Sequence, residues 1–391
     1  MTNSSSFRSS VPRQTSAVGT IRCAALSLAT LLLATCANTA LGQSIHDVGT
    51  PDGGSYSGAN GVSGNGSAVA VNVDMFGEGR AYRWTLRKGA LNLGSLPGAF
   101  STAVYSISRD GSALAGGAFY PDDSARAWLW TAEGGLRDLG LIPDGFAAIA
   151  TGVSRAGRVV VGYVFDANFM LQGFRWTEGT GMQAIGIFPG GTYSGAQAVS
   201  EDGSTLVGQA DFSNVDRAYR WTARTGMQLL PLLSPADPMS NAFGVNHNGS
   251  MVAGFSGNHA VIWVKGGVRD LGTLPGDDNA VAYALNAEGT VVGGYSFRRF
   301  DVRATLWTKA GGMVDLNSYL PTLGIDLTGW DLQYTRGVSN DGRTLVGEGT
   351  YLGEYRGWVV HLGAVCDHDQ DDDSDRDGSK GRSEGRGTDR H

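Results

Sequence analysis

The repetitive body of this 391-residue chain contains no cysteine: Cys23 and Cys36 lie near the start and Cys366 near the end. A disulfide framework is therefore excluded, and packing must hold the body together. Charge is scarce too, at 17% of residues with a net charge of −7. No basic cluster of the kind that displaces counterions from a phosphate backbone occurs, which argues against nucleic acid as a partner. Outside the first 42 residues no apolar run approaches the roughly 18 residues a membrane helix needs. The body has no HExxH, no GxSxG and no phosphate-cradling glycine loop with lysine, so the common hydrolase and nucleotide-binding signatures are missing.

Glycine is abundant instead, with 60 residues, and it recurs in register. A turn glycine stands at Gly66, Gly111, Gly157, Gly203, Gly249, Gly289 and Gly342, at intervals of 45, 46, 46, 46, 40 and 53 residues. Five residues after each comes a second glycine, from Gly116 to Gly347, with Val71 as the exception in the first unit. A further column reads Trp84, Trp130, Trp176, Trp221, Trp263, Trp307 and Val360, with Ala or Gly three residues before each. Each unit reads as a small-residue strand, a tight turn, a Val/Gly strand, a polar loop, a Trp strand and a short fourth strand. Periods of about 40–50 residues with four short strands are the signature of a propeller blade. Seven copies predict an all-β, seven-bladed β-propeller with four-stranded blades. The seventh unit lacks its fourth strand, and a spare copy (His46 to Thr50) precedes the first unit. The N-terminal strand is therefore expected to close the last blade, removing an exposed edge.

Residues 1–42 read as a secretory signal peptide: Arg8, Arg13 and Arg22, then an apolar run from Cys23 to Ala34, then small residues suited to cleavage before Gln43. This places the protein outside the cytoplasm: secreted, periplasmic or on the cell surface. Thr35 disfavours lipid attachment at Cys36. The propeller is assigned to residues 43–364 and a disordered charged tail to 365–391. In that tail Asp373, Asp375, Asp377, Ser379 and Glu384 follow the spacing of an EF-hand calcium loop, although Lys380 stands where such a loop takes an apolar residue. A weak calcium site and a plain solvated tail both fit. No cofactor is expected in the propeller.

The runs Asp138-Leu-Gly, Val199 to Gly208, Arg217-Ala-Tyr-Arg-Trp and Gly226-Met-Gln resemble the HAF repeat of predicted bacterial extracellular proteins. The stretch His259-Ala-Val-Ile-Trp is close to the naming tripeptide. The resemblance covers the whole body and implies bacterial export and a repeat fold. It implies no activity and carries no catalytic residues.

The informative column lies two residues before the apolar residue of the first strand: Asn60, Tyr105, Thr151, Gln197, Phe243, Tyr283 and Arg336. Its neighbours are nearly fixed while it diverges, as an asymmetric ligand surface requires; drift along a wet channel would give the same pattern. The column has no carboxylate, so it offers no acid–base pair for glycoside hydrolysis. The loops between second and third strands mix aromatics with acids. These features predict a monomeric binding module for a glycan or protein partner. Two alternatives stand beside it: a polysaccharide hydrolase or lyase using Asp122, Asp166 or Asp211, and a structural surface protein without a discrete ligand. The glycine of the second strand is expected to serve close packing against a neighbouring blade, and the repeated arginine before the Trp strand to serve structure.

Overall fold

Each repeat turns on a short polar lock. In the fourth unit Asp202 Oδ1 accepts from Ser204 N at 3.0 Å, and Ser200 Oγ accepts from Thr205 N at 3.0 Å. Gly203 takes φ +74° there, a left-handed conformation that costs glycine nothing. Ser108 with Asp110 and Ser339 with Asp341 repeat the lock. The computed structural model describes residues 42–265 and 267–363. In it every unit forms a four-stranded antiparallel sheet, with strands in sequence order in the first six. Blade 4 shows the plan with strands Ser194–Val199, Thr205–Phe212, Val215–Thr222 and Gly226–Leu229. Blades 1 to 6 occupy 56–92, 101–138, 145–184, 194–229, 240–272 and 279–315, and blade 7 the strands within 330–361. The long 53-residue interval holds a helix, Leu316–Thr322, capped by Asp315 and anchored by buried Leu316 and Leu320. Among the described residues no helix is long and apolar enough to cross a membrane.

The fourth strand of blade 7 is Ser44–Asp47, which pairs antiparallel with Glu354–His361 through Ile45↔Val360 and Asp47↔Trp358. The core confirms the closure. Seven apolar clusters occur among the described residues, each shared by two neighbouring blades, and Val48 joins the one between blades 7 and 1. The Trp column contributes at 2–9% exposure for Trp84, Trp130, Trp176, Trp263 and Trp307. A deeper layer lies two residues earlier: Tyr82, Trp128, Phe174, Tyr219 and Trp358 are all at most 1% exposed.

The second-strand glycines do not pack against a neighbouring blade as expected; the close approach is inside the blade. A Cβ on Gly347 would sit 1.8 Å from the Tyr334 carbonyl oxygen and 2.6 Å from Trp358, both of blade 7. The repeated arginines are structural. Arg80 donates to the Phe100 carbonyl and Arg126 to the Phe146 carbonyl of the next blade.

Two histidines flank the clasp, with ring centroids 5.8 Å apart. Burial, and then the charge of His46, lowers the pKa of His361; burial also lowers that of His46. A histidine depressed in the fold contributes stability that is complete above its unfolded pKa of about 6.5 and is lost as pH falls below it. Melting temperature is therefore expected to fall from pH 7.5 to pH 5, and His361→Gln, which can keep the bond to Thr344, should flatten that fall in a thermal melt.

Candidate functional site

Besides an earlier one in blades 3 and 7, every first strand carries a register shift at one shared place. It falls between Ala59 and Gly61, Val104 and Ser106, Ala150 and Gly152, Ala196 and Ala198, Ala242 and Gly244, Ala282 and Ala284, and Thr335 and Gly337. Each shift is a β-bulge, and the extra residue is the divergent one: Asn60, Tyr105, Thr151, Gln197, Phe243, Tyr283 or Arg336. A bulge leaves its residue out of the ladder, bends the strand and re-aims the side chain. The small residue that follows lets the strands crowd together; a Cβ on Gly337 would stand 3.1 Å from Val62 N of blade 1.

All seven bulge residues line one cavity of about 450 Å³ on the ring axis, within the usual range for ligand sites. The cavity runs from Tyr56, where the first strand begins, to Arg109, Glu201 and His247 in the turns between first and second strands. Those turns are tied to one another. Gly64 N donates to Arg109 O at 2.6 Å, Asn340 N to Gly64 O at 2.7 Å and Glu201 N to His247 O at 3.0 Å. Arg109 of blade 2 sends Nη1 to Val338 O at 2.8 Å and Nη2 to Leu285 O at 2.9 Å.

The lining is two-sided. In blades 5 to 7 it is aromatic: Phe243 and Tyr283 stack with centroids 5.2 Å apart and planes 17° from parallel. Arg336 lies over Tyr334 at 4.5 Å and Tyr283 at 4.9 Å, and its Nη2 is 2.6 Å from Glu348 Oε1. Burial alone would lower the Arg336 pKa, but Glu348 and the nearby phenols outweigh it and raise it. In blades 1, 3 and 4 the lining is Asn60, Asn72, Thr151 and Gln197. Asn60 and Asn72 both donate to Val104 O, at 2.9 and 3.0 Å, and Thr151 donates to Ala196 O at 2.7 Å. Tyr105 of blade 2 is 38% exposed to the channel. Surrounding protein, and then the phenols of Tyr163, Tyr56 and Tyr283, push its pKa up to about 12. It therefore remains a hydrogen-bond donor at neutral pH.

No family model matches the chain, and no curated protein matches it in sequence. Solved structures do match in fold. An oligogalacturonate lyase from Vibrio parahaemolyticus is 12% identical with a TM-score of 0.51, covering 81% of this chain and 93% of that one. A catalytically inactive virginiamycin B lyase from Staphylococcus aureus, solved with quinupristin, is 13% identical with a TM-score of 0.51, covering 82% and 99%. At these identities the likeness is of fold alone.

A second variable layer escaped the sequence reading. The residue after each second-strand glycine (Val71 in blade 1) also diverges: Asn72, Gly117, Tyr163, Gln209, Phe255, Tyr295 and Glu348. These lie behind the bulge residues, as the Phe243–Phe255 contact at 6.2 Å and the Arg336 guanidinium 5.9 Å from the Tyr295 ring show. This layer corrects one expectation: the bulge column has no carboxylate, but the cavity does have Glu348, and Glu201 at its turn end. The signal was present as a divergent column beside a fixed glycine.

The rim carboxylates are not brought together. Asp122 accepts from Ser124 N at 3.1 Å, Asp166 from Asn168 N at 2.8 Å and Asp211 from Thr192 N at 2.8 Å, each bracing its own loop connection. None of the three lines the cavity. The hairpins between second and third strands instead display Phe76, Phe169, Phe300 and Leu352 at 70–99% exposure. Antiparallel order puts these tips on the face where the first strands begin, at the Tyr56 end of the cavity. Among the described residues no group of three or more His, Cys, Asp or Glu could hold a metal. The calcium candidate Asp373, Asp375, Asp377, Ser379 and Glu384 lies outside the described residues, as do the signal peptide and tail.

Proposed function

We propose that the chain is an exported bacterial propeller of the HAF-repeat kind that acts, as a monomer, as a binding module for a glycan or protein partner. One observation carries the reading: the positions that vary between otherwise uniform repeats are the bulge residues that converge on a single axial cavity. A structural frame alone needs no such asymmetry at the axis. The exposed Phe76, Phe169 and Phe300 add apolar anchors on the cavity's face, where a larger partner would rest. The hydrolase or lyase alternative has less support, because Asp122, Asp166 and Asp211 serve their own loops.

The test is a binding screen of the purified protein against bacterial and plant polysaccharides and peptides, with product analysis of the same samples. Binding without cleavage is expected. Tyr105→Ala combined with Tyr283→Ala should weaken it by at least about tenfold while the melting temperature stays near the native value, since aromatic anchors dominate such contacts. Undiminished binding in that variant would sink the cavity reading, and cleavage products would revive the enzyme.

A further inference from the structure

We infer that the axial cavity is a blind socket for the uncharged terminal unit of a glycan chain, entered from the hairpin face only. This rests on the binding-module reading and narrows it to one chemical class and one mode of entry.

The socket is blind because of Arg109. Its guanidinium starts in blade 2 and bonds carbonyls of blades 7 and 6, Val338 O at 2.8 Å and Leu285 O at 2.9 Å. Blade 6 is nearly opposite blade 2 in a seven-membered ring, so the side chain crosses the axis and obstructs the turn end of the channel. At the other end Tyr56 is 46% exposed while lining the same cavity. A polymer therefore cannot thread through; only an end can enter.

The chemistry favours a neutral sugar. Two arginines and two glutamates line the cavity, so its formal charges cancel. Arg336 pairs with Glu348 at 2.6 Å; Arg109 keeps its charge but has both Nη atoms taken by carbonyls, and Glu201 is its counter-charge in the lining. An ionic ligand, including a charged peptide terminus, would lose its hydration without gaining a counter-charge. A pyranose ring has an apolar C–H face and a rim of hydroxyls. The cavity offers a stacked aromatic pair, Phe243 against Tyr283 in blades 5 and 6, and across the axis the Tyr105 hydroxyl of blade 2 and the Asn60 amide of blade 1. An apolar, aromatic side facing a few convergent polar groups is how small-molecule sites fix orientation.

The experiment is calorimetric titration of the whole protein with length ladders, from mono- to hexasaccharide, of neutral gluco-, manno-, xylo- and chito-oligosaccharides. Cyclomaltohexaose serves as a ring without ends, oligogalacturonides as an acidic series, and an unbiased peptide library as a further arm. The expected result is that a neutral series binds, that its affinity stops rising by about three units, as a cavity of this size implies, and that the ring binds at least about tenfold more weakly than linear maltohexaose if the gluco-series is the binder. Arg109→Met, which opens the floor, should extend the length dependence. If that variant does not fold, the ladder on the native protein still decides. Affinity that climbs steadily to the hexamer overturns the blind socket and leaves the binding module standing. Cavity binding by the acidic series or by peptides alone overturns the neutral-sugar assignment and likewise leaves the module. No binding in any arm overturns both.

Discussion

A protein lacking residues 43–48 is expected to lose most of its stability. The deleted segment is the fourth strand of blade 7, so the ladder from Ser44↔His361 to Asp47↔Trp358 disappears and the Val48 N bond to Gly357 O, at 3.0 Å, goes with it. The strand Glu354–His361 becomes an open edge, a template for aggregation. Val48, 5% exposed, also leaves the cluster it shares with Val346, Val359, Val71 and Tyr82, so the interface between blades 7 and 1 is weakened as well. Burying Val48 is worth about 1.5–3 kcal/mol, half-burying Ile45 about half of that, and each lost ladder bond about 0.5–1.5 kcal/mol. The combined loss of about 5 kcal/mol is comparable with the whole stability of many domains. The melting temperature should fall by more than about 10 °C, or the protein should become insoluble. Gln43 lies beside Gly363, where an added Cβ would stand 3.0 Å from Gln43 Cγ, so moving the same strand to follow residue 363 should restore folding. A deletion variant that melts like the native protein would refute the clasp.

Gly347→Ala, one added methyl group, should cost about 3 kcal/mol or more, the upper range for overpacking. The new Cβ would meet the Tyr334 carbonyl oxygen at 1.8 Å. That oxygen is backbone, held by the ladder beside the bulge at Arg336, and the second obstacle is Trp358, which is fully buried. Relief requires the first and second strands to part, which also moves Tyr334, Arg336 and Glu348 at the cavity wall. Ligand binding should therefore suffer with stability, an outcome a remote core defect would not give. Gly179→Ala is the matched control, since a Cβ there meets nothing within 4 Å. Denaturant midpoints separate the two. Equal midpoints would mean that the glycine column is not imposed by close approach.

The architecture was readable because each structural demand repeats. A turn needs a left-handed glycine, an interface needs a Trp or its equivalent, and the missing seventh fourth strand had an evident substitute at His46. The bulge was not readable, since nothing in a row such as Gly58 to Val62 marks which residue leaves the ladder. Without the bulge, the reason for the second-strand glycine was assigned to the wrong neighbour. The divergence of the Asn60 to Arg336 column pointed to the cavity wall. Glu348 and Arg109 give a weaker signal, because each stands beside a glycine or turn that repeats from unit to unit for structural reasons. Arg109 in particular acts across the ring, on Val338 and Leu285, and no local pattern reports a contact separated by more than 170 residues. The helix Leu316–Thr322 left only the long 53-residue interval as its trace.

The most direct measurement is a crystal structure of the protein with the tightest oligosaccharide or peptide from the screens. The account predicts ligand density on the ring axis, between the Phe243–Tyr283 wall and Asn60, with Arg336 and Glu348 within hydrogen-bonding distance and Arg109 still bonded to Val338 and Leu285. Density confined to the hairpin tips around Phe76 and Phe300, with the axial cavity holding only water, would contradict it.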